Sequence, residues 1–313
     1  MTNPLLPTAT TTDERQRDAQ VAILPVGSFE QHGDHLPLST DTIIATLISQ
    51  SIADAYPVML LPPITISCSH EHAAWTGTVS ISARTLHAVI TDIHGSLNGP
   101  NALVIVNAHG GNYVLSNVVQ EASATGRAMA LFPTREDWQE ARNAAHLTSS
   151  MHEDMHAGEI ETSILLHAYP DVIRPGYENA DHTADDRRHL LTEGMPAYTK
   201  NGVIGRPSLA TAEKGQGRPR LPHHQLRPRD EPARQALLNC SHRDQAAARR
   251  AAVQRPVACP PLGHAAWGPV PGGSSTDRHA DRGARRTEQA HRPQRHAAAR
   301  MQPYDRHAWA GLR

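Results

Sequence analysis

Residues 21–41 read VAILPVGSFEQHGDHLPLSTD, an apolar run followed by a polar loop. The run from Val21 to Val26 is short, continuous and closed by Gly27, which is typical of a strand buried on both faces of a sheet. Residues 42–55 then carry apolar side chains at helical spacing, namely Ile43, Ile44, Leu47, Ile48 and Ile52. The stretch therefore predicts a strand, a polar loop and an amphipathic helix in succession.

The alternation of strand and helix continues along the chain. Apolar runs predict further strands at Val58–Leu61, Ala102–Val106 and Ala128–Phe132, with a helix from about Tyr113 to Thr125 between the last two. Strands that alternate with helices form a mostly parallel sheet covered on both faces, so the predicted fold class is α/β. Ligands of such sheets gather beyond the carboxyl ends of the strands, which is where the polar loops of this sequence lie.

Three potential metal ligands lie in the first loop and at the start of the helix: Glu30, His32 and Asp41. Carboxylate and imidazole donors together suit Zn, Mn or a similar divalent ion. Each residue also has a simpler interpretation, because a single Glu or His in a loop is usually a solvated side chain and Asp41 would cap the helix N-terminus. Their grouping just past a strand favours a metal site.

A second polar motif, NAHGGN, spans residues 107–112 between a predicted strand and a predicted helix. Adjacent glycines let the backbone approach a ligand closely, and His109 is expected to point from the strand end into the cleft. A glycine-rich turn before a helix also fits a phosphate. The motif lacks the GxGxxG and GK[ST] patterns, so nucleotide binding is the less favoured interpretation.

A third motif, HAGEIETS at residues 156–163, begins an apolar helical stretch. Glu159 follows His156 by three residues and is expected on the same side of the helix, whereas Glu161 is offset. The simpler interpretation of this motif is a helix start with acidic residues near its positive end.

Residues 67–81, SCSHEHAAWTGTVSI, contain His70, Glu71, His72 and Trp75. The close HEH spacing is poor for a closed tetrahedral zinc centre, so we expect this segment to line a pocket at most. Trp75 and Trp138 are candidates to cover a substrate or to pack in the core. His35 is expected either to orient a metal ligand or to lie at the surface.

The average composition of the 313 residues hides two unlike segments. The formal net charge is −1, which argues against whole-chain binding to nucleic acid or to a membrane surface. From Gly217 onward, however, there are 18 Arg against 7 Asp plus Glu, and no Lys, Ile or Phe. Three cysteines without CxxC spacing, and no apolar run of membrane-spanning or signal-peptide length, predict a cytoplasmic protein.

The sequence divides into a flexible N-terminus at residues 1–20, an enzyme domain at 21–216 and an Arg/Pro/His/Ala-rich tail at 217–313. The tail lacks sustained apolar periodicity, which predicts disorder. We favour a reading-frame shift near Gln216 as its origin, because the composition changes abruptly without a linker. Translation of the gene in its other two frames tests this origin, which is wrong if neither frame yields an amphipathic helix. A nonspecific polyanion-binding tail is the less favoured alternative.

Four ordered motifs resemble the signature of the creatininase (creatinine amidohydrolase) family. They are PVGSFEQHGDHLPLSTD at residues 25–41, NAHGGN at 107–112, HAGEIETS at 156–163 and GVIGRPSLATAEKG at 202–215. The resemblance covers residues 21–216 and is specific for the family rather than for a substrate. It implies a three-layer α-β-α fold, often assembled as a hexamer, with two divalent metals at the strand ends.

The resemblance also implies a set of metal ligands. Glu30 and His109 would bind one ion, His32 the other, and Asp41 both. Creatininase itself has a further glutamate ligand two residues after the histidine that matches His109, where this chain has Gly111.

In relatives with the HGGN form, the missing carboxylate is expected from the HAG-containing motif, and we choose Glu161 over Glu159. His156 resembles the catalytic histidine of the family. The implied cofactors are two divalent ions, Zn and/or Mn, with Fe also compatible.

The implied activity is hydrolysis of a C–N bond other than a peptide bond, in a small cyclic amide or formamide. A hydroxide activated by the two metals would attack the amide carbon, and His156 would donate a proton to the leaving nitrogen. The family also includes enzymes that act on formamidopyrimidines and on a mycofactocin precursor peptide. Another alternative is an inactive or unstable remnant with an altered C-terminus, because loss of a packing helix would expose apolar surface. Neither a nucleic acid nor a membrane partner is expected.

Overall fold

The computed structural model describes residues 6–217 and 219 of the chain. Within these residues a parallel sheet has four strands in the order β2-β1-β3-β4. The strands are β1 (Val21–Val26), β2 (Met59–Leu60), β3 (Ala102–Asn107) and β4 (Ala128–Phe132). The predicted α/β class with a mostly parallel sheet is confirmed.

Helices connect the strands and cover the sheet. They are α1 (Thr11–Arg17), α2 (Thr40–Ala55), α3 (Ala83–Gly95), α4 (Val114–Ala124), α5 (Arg135–Ala144), α6 (Glu159–Ala168) and the single turn α7 (Leu190–Glu193). Short 3-10 turns, among them His70–His72, occupy several of the intervening loops.

The two faces of the sheet bury separate apolar cores. Alternate strand residues such as Ile23 and Val104 pack with α2 and α6 on one face. Their neighbours Leu24 and Leu103 pack with α3 and α4 on the other. Because successive side chains of a strand point to opposite faces, a continuous apolar run is required for burial on both sides. The result is the three-layer α-β-α arrangement that the resemblance implies.

The register of β1 and β3 positions the polar loops. Val21 pairs with Ala102 and Val26 pairs with Asn107, so the two strands end side by side. The Ala108 N–H continues the pairing by donating to the Val26 carbonyl at 3.1 Å. Because the strands are parallel, the loop after β1 and the NAHGGN turn leave the sheet at the same edge.

The start of α2 corrects the interpretation of Asp41 as a helix cap. The helix begins at Thr40, its N-cap residue is Ser39, and Asp41 lies within the first turn. The Asp41 side chain is almost fully buried and accepts a hydrogen bond from Ser28 Oγ at 2.7 Å. Asp41 is therefore directed toward the polar loops rather than toward the helix end.

Four of the described helices have no counterpart in the sequence predictions: α1, α3, α5 and the single turn α7. α1 buries none of its residues, whereas α3 carries Leu86, Val89, Ile90 and Ile93 at helical spacing and could have been predicted. Capping boxes begin α1 and α5, in which Thr10 and Thr134 accept the capping hydrogen bonds. α1 lies within the segment predicted to be flexible, and flexibility elsewhere in residues 1–20 stays a prediction.

Predictions about the C-terminal tail fall almost entirely outside the described residues, since only Gly217 and Pro219 of that segment are described. Within the described part of the chain, every helix is too short or too polar to span a bilayer.

Candidate metal centre

The predicted ligands converge at the carboxyl ends of β1 and β3. Glu30 and His32 lie in the loop after β1, Asp41 in the first turn of α2, and His109 in the turn after β3. All four side chains are buried. Residues far apart in the sequence thus form one polar cluster beneath the surface.

One group of potential ligands consists of Glu30, Asp41 and His109, whose ligand atoms all lie within 4.8 Å of one another. His109 Nε2 lies 3.2 Å from Glu30 Oε2, and His109 Nδ1 lies 3.0 Å from Asp41 Oδ2. The His109 ring therefore lies between the two carboxylates and presents a different nitrogen to each.

A second group consists of His32, Asp41 and Glu161, also within 4.8 Å of one another. His32 Nε2 lies 3.2 Å from Asp41 Oδ1 and 4.0 Å from Glu161 Oε2. Asp41 belongs to both groups and presents a different oxygen to each, Oδ2 toward His109 and Oδ1 toward His32. One oxygen of Asp41 would therefore be available to each of the two groups.

The environment of Glu30 supports a bound cation. Its side chain is fully buried, and its two oxygens face His109 Nε2 at 3.2 Å and His72 Nε2 at 3.3 Å without a hydrogen bond of regular geometry among the described residues. A buried charge without hydrogen bonds is unfavourable unless an opposite charge compensates it. Together with the carboxylate and imidazole chemistry of its neighbours, this unsatisfied carboxylate fits a divalent metal ion.

Opposite charges shift the pKa values of the bridging carboxylate and its histidines. Burial alone would lower the pKa of His32, but the charge and hydrogen bond of Asp41, together with the charges of Glu161 and Glu30, outweigh it and raise the pKa to about 9. Burial would likewise lower the pKa of His109, but Glu30 and Asp41 raise it well above the ordinary value. The pKa of Asp41 lies well below its usual value, because the two histidines outweigh its burial. In the absence of metal, protonated imidazoles therefore neutralise the carboxylates.

The structure distinguishes between the two glutamates of α6. Glu161 joins His32 and Asp41, and burial raises its pKa to about 8 against the charge of His32. Glu159 points elsewhere: its carboxylate accepts hydrogen bonds from Ser149 N at 2.8 Å and Lys214 Nζ at 2.6 Å. Burial opposes its ionisation, but these donors hold the pKa of Glu159 at about 2. Glu161, not Glu159, is therefore the carboxylate of this helix that lies in the cluster.

His156 lies beside both groups and forms a third group of potential ligands with Glu30 and His32. Its Nδ1 is 3.9 Å from Glu30 Oε1, and its ring centroid is 4.2 Å from that of His32. Burial, together with the nearby charges of His32 and His72, holds the pKa of His156 well below its ordinary value. A neutral imidazole thus faces the cluster.

The HEH segment was predicted to line a pocket at most, but His72 and Glu71 approach residues of the ligand cluster. His72 is buried with its Nε2 3.3 Å from Glu30 Oε1, and its ring centroid is 4.4 Å from that of His156. Burial lowers the pKa of His72 to about 4. Its neighbour Glu71 reaches His109, with Oε1 3.8 Å from Nε2.

Gly111 leaves the space that Glu71 occupies. A Cβ atom at position 111 would lie 2.1 Å from Glu71 Oε1 and 2.4 Å from His109 Nε2. The asparagines of the same motif are structural, since Asn107 Nδ2 donates to the His109 carbonyl and Asn112 Oδ1 accepts from Cys68 N. Both asparagines fix the turn that carries His109.

The remaining candidates lie outside the two ligand groups. His35 is buried, which excludes the surface position, and its Nε2 lies 3.3 Å from Thr162 Oγ1 in α6. Trp138 is partly buried against the core on the α2 and α6 side of the sheet, as expected for a packing role. Gln31, which carries no charge and was not singled out in the sequence, contacts both His72 and His156 through its side-chain nitrogen.

Comparison with known proteins agrees with the motifs. The family model of the creatininases, described as creatinine amidohydrolase, matches residues 7–218. The mycofactocin precursor peptide peptidase of Mycobacterium ulcerans (strain Agy99) is 36% identical over 208 residues, which are 62% of this chain and 78% of the relative. The creatinine amidohydrolase of Pseudomonas putida is 25% identical over 171 residues, which are 49% of this chain and 66% of the relative.

A solved structure described as Creatininase Mn has the same fold, with a TM-score of 0.58 at 23% sequence identity. The superposition covers 67% of this chain and 90% of that chain. The family model spans all four motifs and both groups of potential ligands. The chain therefore belongs to the creatininase family.

Proposed function

We propose that this protein is a metal-dependent hydrolase that cleaves an amide C–N bond at a centre of two divalent ions. The observation that carries the proposal is the position of Asp41 between two histidines. Its Oδ2 lies 3.0 Å from His109 Nδ1, and its Oδ1 lies 3.2 Å from His32 Nε2. A single buried carboxylate thus belongs to two groups of potential ligands at once.

The proposed ligands follow from these groups. Glu30, His109 and Asp41 would hold one ion, and His32, Asp41 and Glu161 the other. When bound, two adjacent divalent cations lower the pKa of a water molecule between them toward neutrality and polarise an amide carbonyl. Zn and Mn suit this donor set, and Fe is also compatible.

His156 is proposed to accept a proton at Nδ1 from the attacking water and then to pass it to the leaving nitrogen. Its Nε2 lies 2.7 Å from the Gln31 carbonyl, so its Nδ1 faces the cluster. A histidine is suited to this role because one ring nitrogen can accept and release a proton while the other stays bound to a backbone carbonyl. The buried position of His156 keeps bulk water from competing for that proton.

The substrate class is proposed from the relatives. The greater identity to precursor peptide peptidases, 36% against 25% for the creatinine amidohydrolase, favours an amide bond of a short peptide. We therefore prefer the peptide-processing alternative to the non-peptide amide suggested by the motifs. A cyclic amide such as creatinine is the second candidate, supported by the family model and by the likeness to the solved creatininase. A hexamer in the cytoplasm remains the proposed assembly and location.

Removal and restoration of metal test this proposal. Protein stripped with a chelator should hydrolyse neither a panel of short peptides nor creatinine, and addition of Zn or Mn should restore one of these activities. Unchanged activity in chelator would refute a metal-dependent reaction. An inactive remnant is excluded if the soluble protein binds about two ions per chain.

A further inference from the structure

The amide of Gln31 has one orientation that satisfies its backbone partners. The Gly33 N–H donates to Gln31 Oε1 at 2.9 Å, and Gln31 Nε2 donates to the Gly202 carbonyl at 3.0 Å. A backbone N–H can only donate and a carbonyl can only accept, so the oxygen and nitrogen of this amide are unambiguous.

The second hydrogen of Gln31 Nε2 determines the tautomer of His72. Nε2 lies 3.0 Å from His72 Nδ1, and an amide nitrogen cannot accept a hydrogen bond. His72 Nδ1 must therefore be the unprotonated nitrogen of its neutral ring. The ring proton then lies on Nε2, which is 3.3 Å from the buried Glu30 Oε1.

The backbone of Gln31 determines the tautomer of His156 in the same way. The Gln31 carbonyl lies 2.7 Å from His156 Nε2, and this oxygen can only accept. The proton of His156 is therefore on Nε2. The side-chain nitrogen of Gln31 also lies 3.2 Å from His156 Nε2, but both atoms are then donors and form no hydrogen bond.

We infer that Gln31 is a positioning residue that assigns the ring protons of both histidines, a role that rests on the proposed function for its catalytic consequence. Its side chain directs the His72 N–H toward Glu30, and its carbonyl leaves His156 Nδ1 unprotonated toward the ligand groups. Orienting partners of this kind are needed to hold metal ligands and proton donors in a single arrangement.

Gly202 provides the space for this arrangement. It has a φ of +80°, and a Cβ atom there would lie 1.9 Å from Gln31 Oε1. Any other residue would displace the amide and strain the backbone as well. The loop after β1 and the segment around Gly202, which are far apart in the sequence, thus pack around the Gln31 side chain.

Solid-state 15N NMR of the full, metal-free chain labelled with [15N]histidine tests the inference. Resonances of the two rings are identified by their loss in His72→Asn and His156→Asn. In the unsubstituted protein, both rings should carry the proton on Nε2. A proton on Nδ1 of His72 or of His156 would overturn the inference without any Gln31 variant.

Variants at position 31 separate the side-chain effect from the backbone effect. In Gln31→Glu, the carboxylate should accept from His72 Nδ1 and move that proton, whereas His156 should keep its proton on Nε2. In Gln31→Met, the ring proton of His72 should no longer be held on Nε2. Gln139→Glu, at an exposed position, is the control and should move the ring proton of neither His72 nor His156. Folded variants that leave the His72 spectrum unchanged would overturn the inference.

Metal affinity adds a second readout. Gln31→Met should weaken binding of Zn by about 10-fold, the lower end for loss of an orienting partner, because Gln31 acts on the proposed ligand Glu30 through His72. Gln139→Leu should leave it unchanged. Because the ring protons are measured without metal or substrate, the tautomer result stands or fails independently of the proposed hydrolysis.

Discussion

Replacement of Asp41 by Asn should destabilise the metal-free protein in a pH-dependent way. Asp41 lies between the imidazoles of His32 and His109, which its charge keeps protonated. The Asn side chain preserves the shape but removes the charge. His32 must then either lose its proton or remain without its strongest partner, whereas His109 keeps Glu30.

The pKa of His32 gives the size of the effect. A rise from 6.5 to about 9 corresponds to about 3 kcal/mol, and Asp41 is the strongest of the groups that raise it. We therefore expect Asp41→Asn to lower the free energy of unfolding by about 2–3 kcal/mol. Because the folded pKa is raised, this stabilisation is fully present below the unfolded pKa of about 6.5. It is lost as the pH rises through about 9.

Urea unfolding of metal-free protein at pH 6 and above pH 9 measures this difference. The variant should be clearly less stable at pH 6 and closer to the unsubstituted protein at the higher pH. Asp54→Asn, at an exposed position near the other end of α2, is the matched control and should have little effect at either pH. An equal loss at both pH values would refute a charge interaction with His32.

Three further predictions follow from contacts in and near the cluster. Gly111→Ala should destabilise the protein through the 2.1 Å approach to Glu71 Oε1, and adding Glu71→Ala should recover part of the loss. Lys214→Ala should lower the melting temperature, because it removes the charged partner of buried Glu159 and costs about 1–3 kcal/mol. Metal binding should release protons, since His32 has a pKa of about 9 and must be neutral to bind an ion, so affinity should fall as pH falls.

Each of these predictions has a defined measurement. Denaturant unfolding of the single and double variants gives the coupling between positions 111 and 71, and additive effects would contradict the contact. Lys200→Ala, at an exposed position, is the control for Lys214, and equal melting temperatures of the two variants would contradict the pairing. Calorimetry in two buffers of different ionisation enthalpy counts the released protons, and identical apparent enthalpies would contradict proton release.

The sheet and the main ligands could be predicted because both depend on local patterns. The run from Val21 to Val26 is apolar at every position, and β1 has those bounds. The ends of parallel strands lie at one edge, so motifs after β1 and β3 could be expected to meet there. Asp41 was ambiguous because a first-turn carboxylate suits both a cap and a ligand, and only its burial and contacts decide between them.

The contributions of His72 and Gln31 could not be predicted from local patterns. His72 lies in a 3-10 turn within a long loop, and its approach to Glu30 depends on the path of that loop over the sheet edge. Gln31 carries no charge, and its partners His156 and Gly202 are 125 and 171 residues away in the sequence. A short polar side chain with such distant partners leaves no periodic signal.

Anomalous X-ray scattering from crystals loaded with Zn or Mn tests the central claim most directly. Two peaks are predicted, one among Glu30, His109 and Asp41 and the other among His32, Asp41 and Glu161, with an Asp41 oxygen next to each. A single peak, or two peaks of which only one contacts Asp41, would contradict the bridged metal centre.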